Sequence, residues 1–259
     1  MAHKSLIYRQ EKNESNAYMA NKKIDIPPSR LLSNASKRSV EKYKHSSELF
    51  YKMAADNLPD LATIDEDLRH DYRTEYARLF YQTDMYKALT QRFDVNHHRK
   101  TIENISVEVF LPNREITVDR KKIVLINLHG GGFSTGAMFA SHIESMPISS
   151  LMGVKVISID YKQWPEGKFP SATLDVIAVY KSLLQHYRPE NIGIFGCSAG
   201  ALLTAQAIAL FQKEKIPQPK AIAMNAAAAF FWGGGDSGYY AEATSDYINI
   251  NAQEKAPYF

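Results

Sequence analysis

Cysteine is almost missing from this sequence. Cys197 is the only one in 259 residues, so no disulfide can close within the chain, which fits a reducing compartment. Long apolar runs are missing too. The longest, Ala226 to Trp232 with the alternating residues before it, is too short to span a bilayer. The opening stretch MAHKSLIYRQEKNESN lacks the unbroken apolar core of a secretory signal. A cytoplasmic location with no membrane span is therefore the expectation. Charge of one sign is not in excess: 31 Lys and Arg against 28 Asp and Glu leave +3, with no long basic run. That gives no electrostatic case for nucleic acid as a partner. Finally, no histidine follows Ser198, an absence that bears on the chemistry below.

What is present is ordinary for a globular chain: 45% hydrophobic and 23% charged residues, enough length to bury a sizeable core. Residues 1–23 are polar, mixed in charge and aperiodic, which predicts a disordered arm. Residues 24–95 read as a helical cap segment. Val40, Tyr43, Phe50 and Met53 fall on one face of a helix starting near Ser33. Thr63-Ile64-Asp65-Glu66 reads as a capping box ahead of a second helix, with Leu68, Tyr72, Tyr76, Leu79 and Phe80 on its buried face.

Residues 96–259 change pattern. Ile105, Val107, Val109 and Leu111 alternate with polar residues, as in an antiparallel entry hairpin. Ile123 to Leu128, Val154 to Ile159 and Ile192 to Phe195 are continuous apolar runs suited to strands buried on both faces. Leu174, Ile177, Tyr180, Leu184 and Tyr187 mark an amphipathic helix; Ala199 to Lys213 reads as another, and Ala221 to Met224 as a further strand. Alternating strands and helices predict an α/β fold with a mostly parallel central sheet covered on both faces.

Two glycine motifs carry the chemistry. Gly196-Cys197-Ser198-Ala199-Gly200 lies between a predicted strand and a predicted helix, the setting of a nucleophile elbow. Small neighbours permit the tight turn, and the helix start aims amides at a developing oxyanion. His129-Gly130-Gly131-Gly132-Phe133 follows a predicted buried strand. Its glycines leave bare N–H groups to face a carbonyl oxygen that turns negative during attack. No Gly-Lys-Ser/Thr follows, so a phosphate-cradling loop is disfavoured.

With these motifs, and with Asp160-Tyr161-Lys162-Gln163-Trp164-Pro165-Glu166 and Phe169-Pro170 between them, the chain resembles the hormone-sensitive-lipase-like α/β-hydrolases. That group includes bacterial carboxylesterases and acetyl hydrolases. The resemblance runs from about residue 24 onward and implies an α/β-hydrolase fold with an N-terminal helical cap. It implies Ser198 as nucleophile, an oxyanion hole from the amides of Gly131, Gly132 and Ala199, and His129 as a loop-orienting residue. Glu166 becomes a hydrogen-bonding brace. The implied activity is hydrolysis of short- to medium-chain acyl esters through an acyl-enzyme on Ser198, with a small-molecule ester as partner and with no metal and no cofactor. A homo-oligomer is left open.

Two positions depart from the group's pattern. Cys197 stands where an aspartate is usual and reads as a small filler. Family members also continue into two further strands bearing the triad acid and histidine; neither position occurs here, as though the core were truncated after its last strand. Asp236 and Asp246 are the downstream aspartates nearest to an acid role, and His142 and His186 are poor substitutes for the base. The adjacent His97 and His98 have no nearby carboxylate or cysteine cluster in the sequence, so they read as a solvated loop rather than metal ligands. A catalytically inactive hydrolase or a small-molecule-binding, receptor-like module is the alternative reading.

Overall fold

The computed structural model describes residues 29–59 and 64–227. Residues 42–227 form one compact unit, and residues 29–41 belong to another. The arm at 1–23, Thr63 of the capping box, the apolar stretch to Trp232, Asp236 and Asp246 lie outside the described residues.

A six-stranded sheet organises the larger unit: β1 (Val95–Ile102), β2 (Ile105–Pro112), β3 (Val124–Leu128), β4 (Lys155–Ile159), β5 (Ile192–Cys197) and β6 (Ala221–Asn225), in the order β1-β2-β4-β3-β5-β6. The expected entry hairpin is β1–β2, with Ile102 opposite Ile105. Its two turn residues, Glu103 and Asn104, both have positive φ, the backbone twist that a two-residue hairpin turn requires. β2 runs antiparallel to β4, and β3, β4, β5 and β6 are mutually parallel along the sheet.

The two faces of β2 part the core. Val107 and Val109 join Ile126, Leu128, Ile157 and Ile159 beneath α6 (Ser171–Leu183) and α7 (Ala199–Lys213). There Tyr180 stacks on Phe211 with ring centroids 4.4 Å apart. Phe110, by the period of two along a strand, turns to the other face, where it packs with Val156 and with Met146 of α5 (Ala140–Met152). The sequence reading placed β2 to β6 and also α6 and α7; it did not place β1, whose sequence VNHHRKTI is mostly polar and reads around His97 and His98 as a loop. It did not place α5, whose serine-rich sequence hides its apolar stripe.

The N-terminal helices correct the sequence reading in two places. α1 (Asn34–Asn57) starts where expected, with Ser33 Oγ accepting the Ser36 N–H at 3.1 Å. Its buried residues are Phe50 and Ala54, whereas Val40 and Tyr43 are exposed. Phe50 sits among Tyr76, Phe80 and Phe139, so an aromatic cluster fixes which turns of the helix are covered. In α2 (Arg69–Tyr81) the buried residues are Arg69, Arg73, Ala77, Leu79 and Phe80, and Leu68 is exposed. Reading apolar residues alone rotated the face, because both arginines are buried against partners described below. α3 (Asp84–Arg92) follows, its N-terminus capped by Thr83 Oγ accepting from the Tyr86 N–H; a single turn, α4 (Val118–Lys121), precedes β3.

Candidate active site

The chain turns from β5 into α7 within one residue. Ser198 takes φ 53° and ψ −120°, a region that costs a non-glycine residue of the order of 1–3 kcal/mol and persists only where surroundings enforce it. The enforcement is visible. The Ser198 N–H donates to the Asn225 carbonyl at the end of β6 (2.9 Å), and the Ser198 carbonyl accepts from the Ala201 N–H (3.0 Å). Gly200 brings α7 hard against β3: a Cβ there would lie 1.7 Å from the Leu128 carbonyl oxygen. Ala199 and Gly200 are buried, while Ser198 keeps partial access to solvent. Burial pushes the neighbouring Cys197 thiol up, away from the reactive thiolate form, in keeping with a filler.

The glycine loop leaves the end of β3 and folds back on itself. Gly131, at φ 124°, has its carbonyl accepting from the Thr135 N–H (2.9 Å) and the Thr135 hydroxyl (3.0 Å). A side chain at residue 131 would strike the Thr135 carbonyl at 2.1 Å. The loop abuts the elbow: a Cβ on Gly130 would stand 3.5 Å from the Ser198 Cβ. Among the described residues, no backbone acceptor meets the N–H of Gly131, Gly132 or Ala199.

Side chains brace this backbone from beneath. The His129 ring is buried and stacks on Tyr161 at 4.5 Å, and its Nδ1–H donates to the Gly130 carbonyl at 2.9 Å. The Tyr161 hydroxyl donates to the His129 carbonyl at 2.7 Å. Burial pushes His129 down, towards the neutral ring. Glu144 of α5 accepts the Gly130 N–H on Oε1 (2.9 Å) and the Asn127 amide on Oε2 (2.8 Å). Asn127 in turn accepts from the Ser158 hydroxyl. Burial raises the Glu144 carboxyl, and those two hydrogen bonds offset only part of the rise.

From α2, Arg73 pairs with Glu166 and donates to the Ser134 carbonyl, and the Arg69 guanidinium lies 4.3 Å from the Trp164 ring centroid. The Trp164 backbone N–H donates to the Phe133 carbonyl at 2.7 Å. The helical segment thus grips both the glycine loop and the 160–166 segment, and Glu166 is occupied as a brace.

Ser198, Gly131, Gly132, Ala199 and His129 therefore converge on one end of the sheet. Other sequence candidates do not. His186 is exposed beyond α6. His142 is buried against Glu108, with Nε2 at 3.0 Å from Oε1. Among the described residues, none is hydrogen-bonded to the Ser198 hydroxyl. Sequence reasoning missed Glu144, Arg73 and Glu108. A signal existed for the first: Glu144 is the only Asp, Glu, Lys or Arg between Ile123 and Val154, and a lone carboxylate in such a stretch must find donors or stay protonated.

Residues 125–253 match the family described as alpha/beta hydrolase fold. Over that stretch the chain belongs to this family, as the three motifs implied. An acetyl-hydrolase of Streptomyces hygroscopicus is 33% identical over 98 residues, 38% of this chain and 33% of that protein. An acetyl esterase of Salmonella schwarzengrund is 36% identical over 97 residues, 36% of this chain and 30% of that protein. The match thus spans about a third of the length of these curated relatives. Among solved structures, an esterase superposes with TM-score 0.59 at 24% identity, over 76% of this chain and 57% of its own. An esterase from the bacterial hormone-sensitive lipase family gives TM-score 0.52 at 24% identity, over 68% and 55%. These two share the fold.

Proposed function

We propose that this chain carries the nucleophile half of a serine carboxylic-ester hydrolase acting on short- to medium-chain acyl esters. The observation that carries the reading is Ser198 itself, held at positive φ at the start of α7 with the Gly130–Gly132 backbone alongside. The Ser198 hydroxyl attacks the ester carbonyl. The amides of Gly131, Gly132 and Ala199 receive the oxyanion, helped by the positive end of the α7 dipole, and water then releases the acyl group. His129 positions the loop through the Gly130 carbonyl and takes no proton from serine, since its ring is buried and its Nε2 meets no hydrogen-bond partner among the described residues. The relatives named acetyl esterase and acetyl-hydrolase support an ester substrate, and a small acyl group first among them.

Attack at neutral pH needs a general base, and none of the described histidines is hydrogen-bonded to Ser198. These 259 residues alone are therefore expected to turn over slowly, at the level left when one triad member is missing, roughly 10³–10⁴ over water. p-Nitrophenyl acetate tests this, with intact-mass detection of the acetylated chain. The expected result is an acetyl group on the peptide containing Ser198 and its loss in Ser198→Ala. Equal hydrolysis by wild type and Ser198→Ala would sink the proposal and leave a ligand-binding module as the better reading.

A further inference from the structure

The strongest feature outside this site lies between the entry hairpin and α5. His97 on β1 and His142 on α5 both direct Nε2 at Glu108 Oε1 on β2, at 3.1 and 3.0 Å. The three ligand atoms all lie within 4.8 Å of one another. We infer that His97, Glu108 and His142 form a transition-metal site, most suited to Zn²⁺, with water as the fourth ligand. This inference is independent of the ester reading.

Three features support it. The first is spacing. Donors about 2.0–2.1 Å from a tetrahedral zinc stand about 3.3 Å apart, so the two N···O separations need to open only slightly, while the two histidine nitrogens, within 4.8 Å of each other, draw together. The second is ligand chemistry: two imidazoles and one carboxylate suit borderline cations and not calcium or magnesium, which take oxygen.

The third feature is the support around the ligands. The ring nitrogen of His142 that faces away from Glu108, Nδ1, meets the Tyr86 hydroxyl at 3.3 Å, and Glu108 Oε2 accepts from the Ser141 hydroxyl. Metal-bound histidines and carboxylates are held in this way, by partners on the atom that does not bind. Binding requires each Nε2 to give up its proton. A neutral ring does so by moving the proton to Nδ1, where His142 then donates to Tyr86.

Access is one-sided. The Glu108 and His142 side chains are 3% exposed, and that of His97 is 27% exposed, so metal and water enter past β1. Tyr81 also approaches, its hydroxyl 3.4 Å from His142 Nε2 while donating to the Met138 carbonyl. That engagement leaves the open position to water.

The test uses the full chain, stripped with a chelator, dialysed and titrated with zinc chloride in a calorimeter, with cobalt(II) as a spectroscopic stand-in. One equivalent of zinc is expected to bind, and cobalt to give the intense visible bands of a four-coordinate site. His97→Gln is the lead variant because its side chain is partly exposed, and it is expected to weaken zinc binding at least tenfold. His98→Gln and Ser198→Ala are expected to bind as wild type does. Should His97→Gln fail to fold, Tyr86→Phe takes its place, with a several-fold loss expected. Failure of folded wild-type protein to bind zinc saturably would overturn the inference. So would wild-type affinity in the folded His97→Gln variant.

Discussion

Two buried carboxylates meet helix α5, and their surroundings push them in opposite directions. Burial acts on both to favour the neutral acid. At Glu108 that effect is outweighed by hydrogen bonds from His142, His97 and Ser141 and by the charge of His142, and the carboxyl is held well below the usual range. At Glu144 the donors are the neutral Asn127 amide and the Gly130 N–H; burial prevails and the carboxyl is raised. The degree of burial does not decide the sign. What decides it is how many donors meet the carboxylate and whether a neighbouring charge adds to them. Glu108 belongs to a cluster built from side chains of three elements, whereas Glu144 serves a site built mostly from backbone.

The backbone-built site breaks most completely by adding atoms. Gly200→Val places a side chain where even a Cβ would lie 1.7 Å from the Leu128 carbonyl oxygen. Neither partner can yield, because one is strand and the other the first turn of α7. The expected cost is about 3 kcal/mol or more, read as a collapse of soluble yield or a large fall in Tm. A melt within a degree or two of wild type would show that α7 does not rest on β3 in this way.

The side-chain cluster breaks by removing charge. Glu108→Gln keeps an oxygen that can accept from both imidazoles, but it removes the charge they face and turns an NH₂ towards the Ser141 hydroxyl; breaking such a buried pair costs about 3 kcal/mol. Urea unfolding at neutral pH checks it. The pH dependence adds a signature. A carboxyl whose value is lowered on folding contributes stability above its ordinary value of 4.5, and that contribution fades as pH falls from there through the folded value. The wild-type advantage over Glu108→Gln is therefore expected to shrink on acidification.

Glu144→Gln sharpens the contrast. Its raised carboxyl has the opposite linkage: the folded state holds the proton more tightly than the unfolded chain does. Ionisation thus costs stability as pH rises from the ordinary 4.5 through the raised value. Wild type is expected to lose ground against Glu144→Gln over that interval. At neutral pH the variant still loses one acceptor, since its NH₂ must face either the Gly130 N–H or the Asn127 amide, for a net cost of about 1 kcal/mol. Parallel unfolding series across pH for the two variants check the pair. Slopes of the same sign would refute the account of both carboxylates.

The two regions also differ in how far the sequence discloses them. Most of the fold was legible because β3, β4 and β5 are apolar runs, β2 alternates cleanly, and α6 and α7 carry helical periodicity; β1, mostly polar, was not. The elbow and glycine loop were legible because their chemistry is backbone chemistry, and backbone geometry demands particular small residues at adjacent positions. Glycines at 130, 131, 132 and 200 announce themselves. The braces do not. Arg69 and Arg73 lie on the buried face of α2 although a hydrophobicity pattern assigns arginine to solvent; Ser134, Trp164 and Glu166, far along the chain, make burial tolerable. Glu108 looks like the polar half of an alternating strand, and His142 lies in a helix that the pattern did not reveal.

His97 and His98 state the limit most sharply, and they carry the smallest expected effect. As neighbours in the sequence they are equivalent, and together they read as a solvated loop; they lie instead in β1. The pleat of β1 separates them: His97 lies opposite Phe110 and His98 opposite Val109, so they project from opposite faces. His97 stacks on Phe110 at 4.8 Å and reaches Glu108, while His98 is exposed. His98→Gln is thus expected to change stability by less than about 0.5 kcal/mol, as surface substitutions do. His97→Gln, which removes one charge-assisted donor to Glu108, is expected to cost about 1.5 kcal/mol or more. Thermal melts of the two variants side by side measure the difference. Equal melts would mean that Glu108 draws its stabilisation from His142 and Ser141 alone, and that the register of one hairpin does not govern what a histidine does here.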